Sequence, residues 1–286
     1  MGSGFPESVS AAFCLGKGVY RGGRAAYTGA MEPILKTLDD GVLQLTLNRP
    51  EKKNAYNLAL WRALQTSLSE AQEDPQVAVV VLTGAGRDFS AGQDLTEMLS
   101  GGIEEGEEHP FLQAMKTLYE FDKPLLAAAR GVGVGFGATC LFHCDLVYVG
   151  ESLRLRLPFV SLGLVPEAAS SYMLQAVIGY QRAAELFFTA EWIDADRAVS
   201  SGIAARKFSD EEVLEATLSK ASEMAQWPVG ALQATKRTLR APHLAAIWAA
   251  EEAEQAGMQA QVGSPENIEA ITAFMERRKP DFRKLN

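Results

Sequence analysis

The sequence is poor in the residues that build metal centres, disulfide frameworks and membrane spans. Its 286 residues include only three cysteines and three histidines, with no CxxC motif, so neither a disulfide scaffold nor a structural zinc site is expected. The most apolar run, residues 131–142, is shorter than the about 20 residues that a membrane-spanning helix needs. We therefore expect a soluble protein with no metal and no membrane span.

Positive charge is also scarce, which bears on the partners of the protein. Lysine and arginine number 27 against 36 acidic residues, a net charge of −9. A nucleic-acid-binding protein would carry a basic stripe, so nucleic acid is not an expected partner. An anionic small molecule remains possible, because a few local cations can hold it. The 47% hydrophobic content is ordinary for a globular chain and excludes general disorder.

The chain is predicted to consist of three segments. Residues 1–30 have no apolar period and hold three basic residues against one acid. They fit a disordered tail, a targeting segment, or an extension upstream of a start at Met31. Residues 31–200 are predicted to form an α/β core. Residues 201–286 are predicted to form a helical region that packs on the core or on a neighbouring subunit.

Strand and helix signals alternate along the predicted core. Short strand-like runs at 34–38 and 42–47 are split by Asp39-Asp40-Gly41, a hairpin signal. Near-continuous apolar runs predict buried strands, and apolar residues at helical spacing predict a helix over 57–71. The buried strands are predicted at 77–82, 125–129 and 146–149. Alternation of this kind is typical of an α/β fold with a largely parallel sheet. Helices are predicted thereafter at 181–189, 194–200, 210–226, 228–239, 243–261 and 265–276.

Two glycine-rich turns follow predicted strands. One covers residues 89–95, just after the Gly84-Ala85-Gly86 turn, and the other covers 131–139. Each could be a plain strand-to-helix turn, and the second only weakly resembles a dinucleotide fingerprint, since its spacing fails after the second glycine. On neighbouring strands, however, such turns could aim two backbone N–H groups at one point, as an oxyanion hole requires.

Glu167 is the only acid between Glu151 and Glu185, and it follows Pro166 in an apolar segment. Such a carboxylate could be a general base with a raised pKa. It could equally lie in the first turn of a helix, where the helix dipole favours a negative charge. The spacing leaves both interpretations open.

Taken together, these segments resemble the crotonase, or enoyl-CoA hydratase/isomerase, superfamily over roughly residues 34–282. The likeness rests on the order of six motifs: Leu47-Asn48-Arg49-Pro50 with Lys53-Asn54-Ala55, residues 80–84 with 89–94, Lys123-Pro124 with 131–137, Cys144-Asp145, Pro158 with Leu162-Gly163 and Pro166-Glu167, and the closing residues 274–282. The resemblance implies a ββα spiral core with a C-terminal helical trimerisation region. It also implies that the N–H groups of Gln93 and Phe136 hold the thioester oxygen of an acyl-CoA.

Departures from the family pattern indicate the subtype. Hydratases of the family usually carry two glutamates at positions where this sequence has Thr139 and Phe159. Glu167, followed by small residues and paired serines, instead resembles the base of peroxisomal-type Δ3,Δ2-enoyl-CoA isomerases. The expected reaction shifts a 3-enoyl-CoA double bond to 2-enoyl-CoA, which needs one base, no water and a stabilised dienolate. The alternatives are a hydratase or another crotonase enzyme, and a non-catalytic acyl-CoA-binding member.

The resemblance has further implications for ligands, assembly and location. It implies no permanently bound cofactor, coenzyme A thioester as the substrate, and a homotrimer or a dimer of trimers. A basic residue from the C-terminal tail, here Lys279, would reach the CoA phosphates across an interface. A bacterial protein of this type is expected in the cytoplasm and a eukaryotic one in a peroxisomal or mitochondrial matrix. The residues expected to contact acyl-CoA are Arg49, Lys52, Lys53, Ala55, Ala91, Gly92, Asp94, Leu95, Gly135, Thr139, Phe159 and Lys279.

Overall fold

A computed structural model gives the structure of the chain and describes residues 32–98 and 108–285. The predicted extension at residues 1–30 lies outside the described residues. Within them, no helix is long and apolar enough to cross a membrane.

A six-stranded sheet forms the centre of the fold, with the strand order β1-β2-β3-β4-β6-β9. Strands β1 and β2 pair antiparallel and all other neighbours in this sheet pair parallel. A smaller sheet has the order β5-β7-β8. The strands are β1 (Ile34–Asp39), β2 (Val42–Leu47), β3 (Val79–Gly84), β4 (Leu125–Ala129), β5 (Val132–Val134), β6 (Leu146–Gly150), β7 (Arg154–Arg156), β8 (Ile193–Asp194) and β9 (Arg206–Phe208). The predicted α/β class with a largely parallel sheet is confirmed.

The β1–β2 hairpin shows how the local sequence fixes register. Asp39 faces Val42, so the connection is the two residues Asp40 and Gly41. Both have left-handed φ angles, 40° and 82°, as a type I′ hairpin turn requires. The Asp-Gly signal in the sequence therefore predicted this turn for the right reason.

Helices cover the sheet and dominate the second half of the chain. They are α1 (Leu58–Glu73), α2 (Leu95–Met98), α3 (Pro110–Glu120), α4 (Phe136–Thr139), α5 (Ser170–Ile178), α6 (Tyr180–Thr189), α7 (Ala195–Ser201), α8 (Val213–Ala225), α9 (Val229–Arg240), α10 (Leu244–Gln261) and α11 (Pro265–Met275). Short 3-10 helices cover Pro50–Lys52, Cys140–His143, Val160–Leu162 and Phe282–Lys284. The six helices predicted after residue 180 are all present, and each boundary falls within three residues of the expected position.

Side-chain caps explain several helix starts. Asn57 accepts a hydrogen bond from the N–H of Leu60 at the start of α1, and Ser264 accepts one from Asn267 at the start of α11. Each cap satisfies an N–H group that has no partner inside its helix. Pro265 follows the Ser264 cap at the first helical position, where the missing N–H of proline costs no helical hydrogen bond.

The parallel strands bring the two glycine-rich turns to one edge of the sheet. Strands β3 and β4 pair in register, with Thr83 opposite Ala128, so both strands end at the same side. The segments that follow them, 85–94 and 130–135, consequently leave the sheet next to each other. Crevices at the carboxyl ends of parallel strands are the usual ligand sites of α/β folds.

Candidate active site

The two glycine-rich turns are joined by main-chain hydrogen bonds. The N–H of Ser90 donates to the carbonyl of Val132 at 2.9 Å, and the N–H of Val134 donates to the carbonyl of Ser90 at 3.0 Å. A side chain at Gly137 is excluded, because its Cβ would lie 2.1 Å from the Ser90 oxygen. The turns therefore form a short parallel ladder rather than two independent loops.

Gly92 is a second point at which the two turns approach each other closely. Its φ is +81°, and a Cβ built there would lie 2.3 Å from the carbonyl oxygen of Val134 and 3.3 Å from the N of Phe136. Only glycine satisfies both the backbone angle and the close approach. Gly92 thus places the peptide that it shares with Gln93 directly against the start of α4.

Two backbone N–H groups remain available at this point. Tyr56 donates to the carbonyl of Gly92 and accepts from the N–H of Asp94, so the N–H of Gln93 between them points away from Tyr56. Phe136 is the first residue of α4, where N–H groups have no partner in the helix. Among the described residues, neither the Gln93 nor the Phe136 N–H donates a backbone hydrogen bond.

Aromatic packing holds both donors in place. The indole N–H of Trp61 donates to the side-chain oxygen of Gln93 at 2.8 Å. The ring of Trp61 lies 4.5 Å from that of Phe136, and Tyr56 packs edge-on to Phe136 at 4.9 Å. All three rings are fully buried. The two N–H groups are consequently mounted on a rigid apolar support, as preorganised donors require.

Glu167 precedes helix α5 rather than lying in its first turn. The helix begins at Ser170, whose N–H donates to the carbonyl of Glu167 at 3.1 Å. Between them Ala168 and Ala169 adopt left-handed φ angles of 60° and 51°, which are costly for residues with a Cβ. The helical interpretation of Glu167 is therefore wrong, and a strained turn sets its direction.

His143 supports that turn. Its Nε2 lies 2.7 Å from the carbonyl oxygen of Ala168, so Nε2 carries the proton, since a carbonyl only accepts. Burial lowers the pKa of His143 to about 4, and the ring is neutral near pH 7. A neutral, buried histidine thus fixes the strained residue that follows Glu167.

The carboxyl of Glu167 lies beside the donor loop. A Cβ built on Gly135, the residue before Phe136, would be 3.7 Å from Oε1 of Glu167. Burial, followed by the nearby Glu254 and Glu251 carboxylates, raises the pKa of Glu167 to about 8. The predicted raised pKa of this group is thereby reproduced, and the structure brings Glu167, Gly135 and Phe136 together.

Glu251 and Glu254 were not predicted as site residues. They lie on α10 in line with Ile247, at spacings of four and three residues, and this face packs inward. The sequence analysis assigned helix 243–261 no role in the site. The signal was present: two glutamates share the face of the buried isoleucine, where a soluble helix normally has apolar residues.

A cavity of about 440 Å³ lies between α1, α3 and α10, and Glu251 is part of its wall. It shares Tyr119 and Glu251 with the surroundings of Glu167. Its wall is mixed in polarity and also includes Gln65, Met115, Trp248 and Gln255. No group of three or more His, Cys, Asp or Glu within the described ranges is arranged to hold a metal ion.

The predicted basic residues have different environments. Arg49 donates to the carbonyl of Ala55 and forms an ion pair of 3.1 Å with Asp94, so it ties the loop to the start of α2. Lys52 is exposed and Lys53 is 58% exposed, with only a 3.8 Å contact to Asp88. Lysines 52 and 53 are therefore the more available cations of this segment.

Some of the remaining predicted contact residues lie in these same loops, and Lys279 lies away from them. The N–H of Ala91 donates to the carbonyl of Lys53, and the N–H of Tyr56 donates to the carbonyl of Gly92. Ala55 and Ala91 therefore lie in two segments that are hydrogen-bonded to each other. Leu95 is the first residue of α2. Lys279 is exposed after α11, next to Arg278, which is paired with Glu269. No described contact joins Lys279 to the loop residues.

Thr139 and Phe159 occupy the two positions discussed for hydratases. Thr139 is fully buried, and its hydroxyl has no hydrogen-bond partner among the described residues. Phe159 is buried and lies 6.3 Å from the ring of Phe187. Neither position supplies a carboxyl, whereas Glu167 places one beside Gly135, the residue before Phe136.

Comparison with known proteins identifies the family of the chain. A family model described as enoyl-CoA hydratase/isomerase matches residues 37–285. The chain therefore belongs to the enoyl-CoA hydratase/isomerase family of acyl-CoA enzymes, the crotonase superfamily, and the resemblance stated from the sequence is confirmed.

Individual relatives carry both activities in their names. A 2,3-dehydroadipyl-CoA hydratase of Escherichia coli K12 is 34% identical over 88% of this chain and 99% of its own length. Enoyl-CoA delta isomerase 2 of Rattus norvegicus is 30% identical over 90% of this chain and 67% of its own length. The structure of an enoyl-CoA hydratase/isomerase from Pseudoalteromonas atlantica T6c superposes with a TM-score of 0.84 at 35% identity, covering 87% of this chain and 99% of that one.

Proposed function

We propose that this family member is a Δ3,Δ2-enoyl-CoA isomerase. The substrate is a 3-enoyl-CoA thioester, and the product is the conjugated 2-enoyl-CoA. Coenzyme A belongs to the substrate, and the proposal requires no permanently bound cofactor.

Glu167 acts as the single base in the proposed mechanism. Its ionised carboxylate takes a proton from C2, and the electrons of the broken C–H bond form a dienolate on the thioester oxygen. The N–H groups of Gln93 and Phe136 stabilise that oxygen. Glu167 then returns the proton to C4, which places the double bond between C2 and C3.

The observation that carries the proposal is the position of one carboxyl beside one pair of donors. Glu167 Oε1 lies next to Gly135, and Phe136 follows immediately. Thr139 and Phe159 place a buried hydroxyl and a ring where a hydratase would have its acids. A buried phenylalanine also helps to exclude the water that hydration would consume.

Coenzyme A binding is proposed at the exposed cations before α1. Lys52 and Lys53 are exposed in the segment that follows β2, at the edge of the sheet where the two N–H donors lie. Local positive charge can hold a phosphorylated nucleotide although the whole chain is acidic. Lys279 is a further candidate if a neighbouring subunit brings it to the site.

Hydration is the second candidate, because a specific observation favours it. Glu251 and Glu254 of α10 add carboxyls near Glu167, and hydration normally uses two positioned acids. The hydratase named above shows that the family framework supports this chemistry. In this case Glu167 and one glutamate of α10 would act as the two acids that hydratases of the family usually carry at the positions of Thr139 and Phe159.

Absorbance of the conjugated thioester distinguishes the candidates. The purified protein should create this absorbance from a 3-enoyl-CoA, whereas a hydratase removes it from a 2-enoyl-CoA and a binding protein does neither. Glu167→Gln should lower kcat for isomerisation at least about 100-fold, the low end for loss of a general base.

The matched control is Glu151→Gln, at an exposed turn between β6 and β7, and it should retain wild-type kcat. Acyl-CoA binding by Glu167→Gln, measured by calorimetry, shows that the site is intact. Near-normal isomerisation by this variant would remove Glu167 from the mechanism.

A further inference from the structure

Helix α10 buries two carboxyl groups that the proposed mechanism does not use. Glu251 is 5% exposed and Glu254 is 6% exposed. An ionised carboxylate is expensive to bury without a cation, and none of their described hydrogen bonds or ion pairs comes from a lysine or an arginine. The free-energy cost of burying these two carboxyl groups indicates that they have a function.

Glu254 is fixed to the turn that carries Glu167. Its Oε1 accepts a hydrogen bond of 2.7 Å from the N–H of Ser171, in the first turn of α5. Ser170, the preceding residue, donates its N–H to the carbonyl of Glu167. One turn of chain therefore connects the anchor of Glu254 with the backbone of Glu167.

The second oxygen of Glu254 is unusual. Oε2 is buried and has no hydrogen-bond partner among the described residues. The carboxyl thus presents an unsatisfied acceptor inside the protein, at the turn of chain that also holds Glu167, and its charge acts on Glu167. Burial first, and then the nearby Glu251 carboxylate, raises the pKa of Glu254 to about 7 against the opposing effect of the hydrogen bond from Ser171.

Glu251 is satisfied by comparison. Its Oε2 accepts from the Tyr119 hydroxyl at 2.6 Å, and its Oε1 accepts from the Gln255 amide at 3.0 Å. Glu251 also acts on Glu167, but its effect is smaller than that of Glu254. The two α10 carboxyls are therefore not equivalent.

Other titratable groups surround the cluster. Tyr119 of α3 and Cys140 of the 3-10 helix interact with Glu167, and burial raises the pKa of each, so both are neutral near pH 7. His143 on the same 3-10 helix is neutral, and Arg240 of α9 acts on His143 and Tyr119. Among the described residues, the carboxylates of Glu254 and Glu251 are therefore the charged groups that act on Glu167.

We propose that Glu254 is a positioning residue for Glu167, and that its carboxylate, fixed by Ser171, makes Glu167 a stronger base toward a carbon acid. The proposal rests on the proposed function for its catalytic meaning. A negative charge held nearby disfavours the ionised form of Glu167. When Glu167 is ionised, it accordingly binds a proton more tightly, which helps to remove one from carbon.

Glu254→Gln tests the proposal, because glutamine still accepts a hydrogen bond from Ser171 but carries no charge. The midpoint of the Glu167 titration is measured by carboxyl 13C NMR on the full chain without substrate, its signal assigned by its loss in Glu167→Gln. We expect Glu254→Gln to lower this midpoint by about one pH unit or more. Glu252→Gln, at an exposed position on the same helix, should leave it unchanged.

Kinetics give the second readout. The acid limb of kcat/KM against pH should move down with the NMR midpoint, kcat at high pH should fall about threefold or more as the base weakens, and KM should be unchanged. A Glu167 midpoint within about 0.3 unit of wild type overturns the proposal and leaves Glu254 as a helix cap.

Two further arms keep the outcomes separate. If Glu254→Gln does not fold, Glu254→Met, which has a similar length and no charge, takes its place, and an unchanged Glu167 midpoint in that variant overturns the proposal. An absence of isomerase activity in wild-type protein rejects the proposed function but leaves the NMR result valid. A normal midpoint in an active Glu254→Gln isomerase rejects only this inference.

Discussion

At the scale of the residue, backbone geometry rather than side-chain chemistry defines the donor pair. Gly92 brings its peptide against Val134 and Phe136 at distances that a Cβ would forbid. The side chain of Gln93 is turned away to Trp61. The N–H groups, and not the amide of Gln93, are therefore the groups that face the proposed substrate oxygen.

Comparing Gly92→Ala with Gln93→Ala tests this distinction. The added methyl should push the two turns apart and lower kcat at least about 100-fold, as expected for a lost oxyanion donor. Gln93→Ala retains the backbone and loses one hydrogen bond to Trp61, so kcat should fall less than about tenfold.

Both variants are measured in the conjugated-thioester assay, with circular dichroism as the check on folding. Equal losses of kcat in the two folded variants would contradict the backbone role. If Gly92→Ala is unfolded, Gly135→Ala, at a position with φ of 52° and more space around its Cβ, takes its place in the comparison.

At the scale of the element, helix α10 connects the site to the C-terminal half. It packs on α5, and its inward face carries Ile247 together with the two glutamates. The hydrogen bond from Tyr119 to Glu251 joins α10 to α3 across 132 residues of sequence. A buried hydrogen bond to a charged group is worth about 1.5–3 kcal/mol, so this contact should contribute measurably to stability.

Tyr119→Phe should lower the free energy of unfolding by about 2 kcal/mol at pH 7, since it leaves a buried Glu251 oxygen without its donor. Urea unfolding monitored by fluorescence measures the change. The matched control is Tyr172→Phe, which removes an exposed hydroxyl contact to His243 and should cost under about 0.5 kcal/mol. Equal losses in the two variants would show that the Tyr119–Glu251 bond does not stabilise the fold.

At the scale of the whole molecule, several large apolar side chains of the C-terminal helices lie on the surface of the single chain. Ile268, Phe274 and Met275 of α11 are each more than half exposed, as is Leu239 at the end of α9. The buried positions of α11 are instead Asn267, Ala270 and Ala273. An apolar face of this kind is typical of an interface between subunits, and we propose a homotrimer or a pair of trimers.

The assembly prediction concerns mass in solution. A trimer of the 30.9 kDa chain should sediment at about 93 kDa, three times the chain mass, or at twice that value for paired trimers. Phe274→Glu should shift the protein toward monomer, because a charge would be buried at the interface. Leu35→Glu, on the outer strand β1, is the control and should leave the mass unchanged. A wild-type monomer would contradict the proposal.

The sequence by itself determined five strands of the main sheet, helix α1 and the six helices after residue 180, together with the short motifs of the candidate site. The Asp40-Gly41 turn and the apolar periods act within a few residues, so local patterns predicted them. The two glycine-rich turns and Glu167 were likewise visible, because their motifs are short. The sequence left open whether Glu167 lies inside a helix, because alanine at positions 168 and 169 does not predict a left-handed turn.

Only the tertiary structure decided the electrostatics of Glu167. The carboxyl of Glu254 is anchored to Ser171, 83 residues earlier in the chain, and the fold alone brings α10 against α5. The pairing of Arg49 with Asp94, 45 residues apart, likewise decided which cations stay available. The pKa of a buried group depends on every charge and dipole that packing places around it, and that surrounding set is a property of the folded chain rather than of any segment.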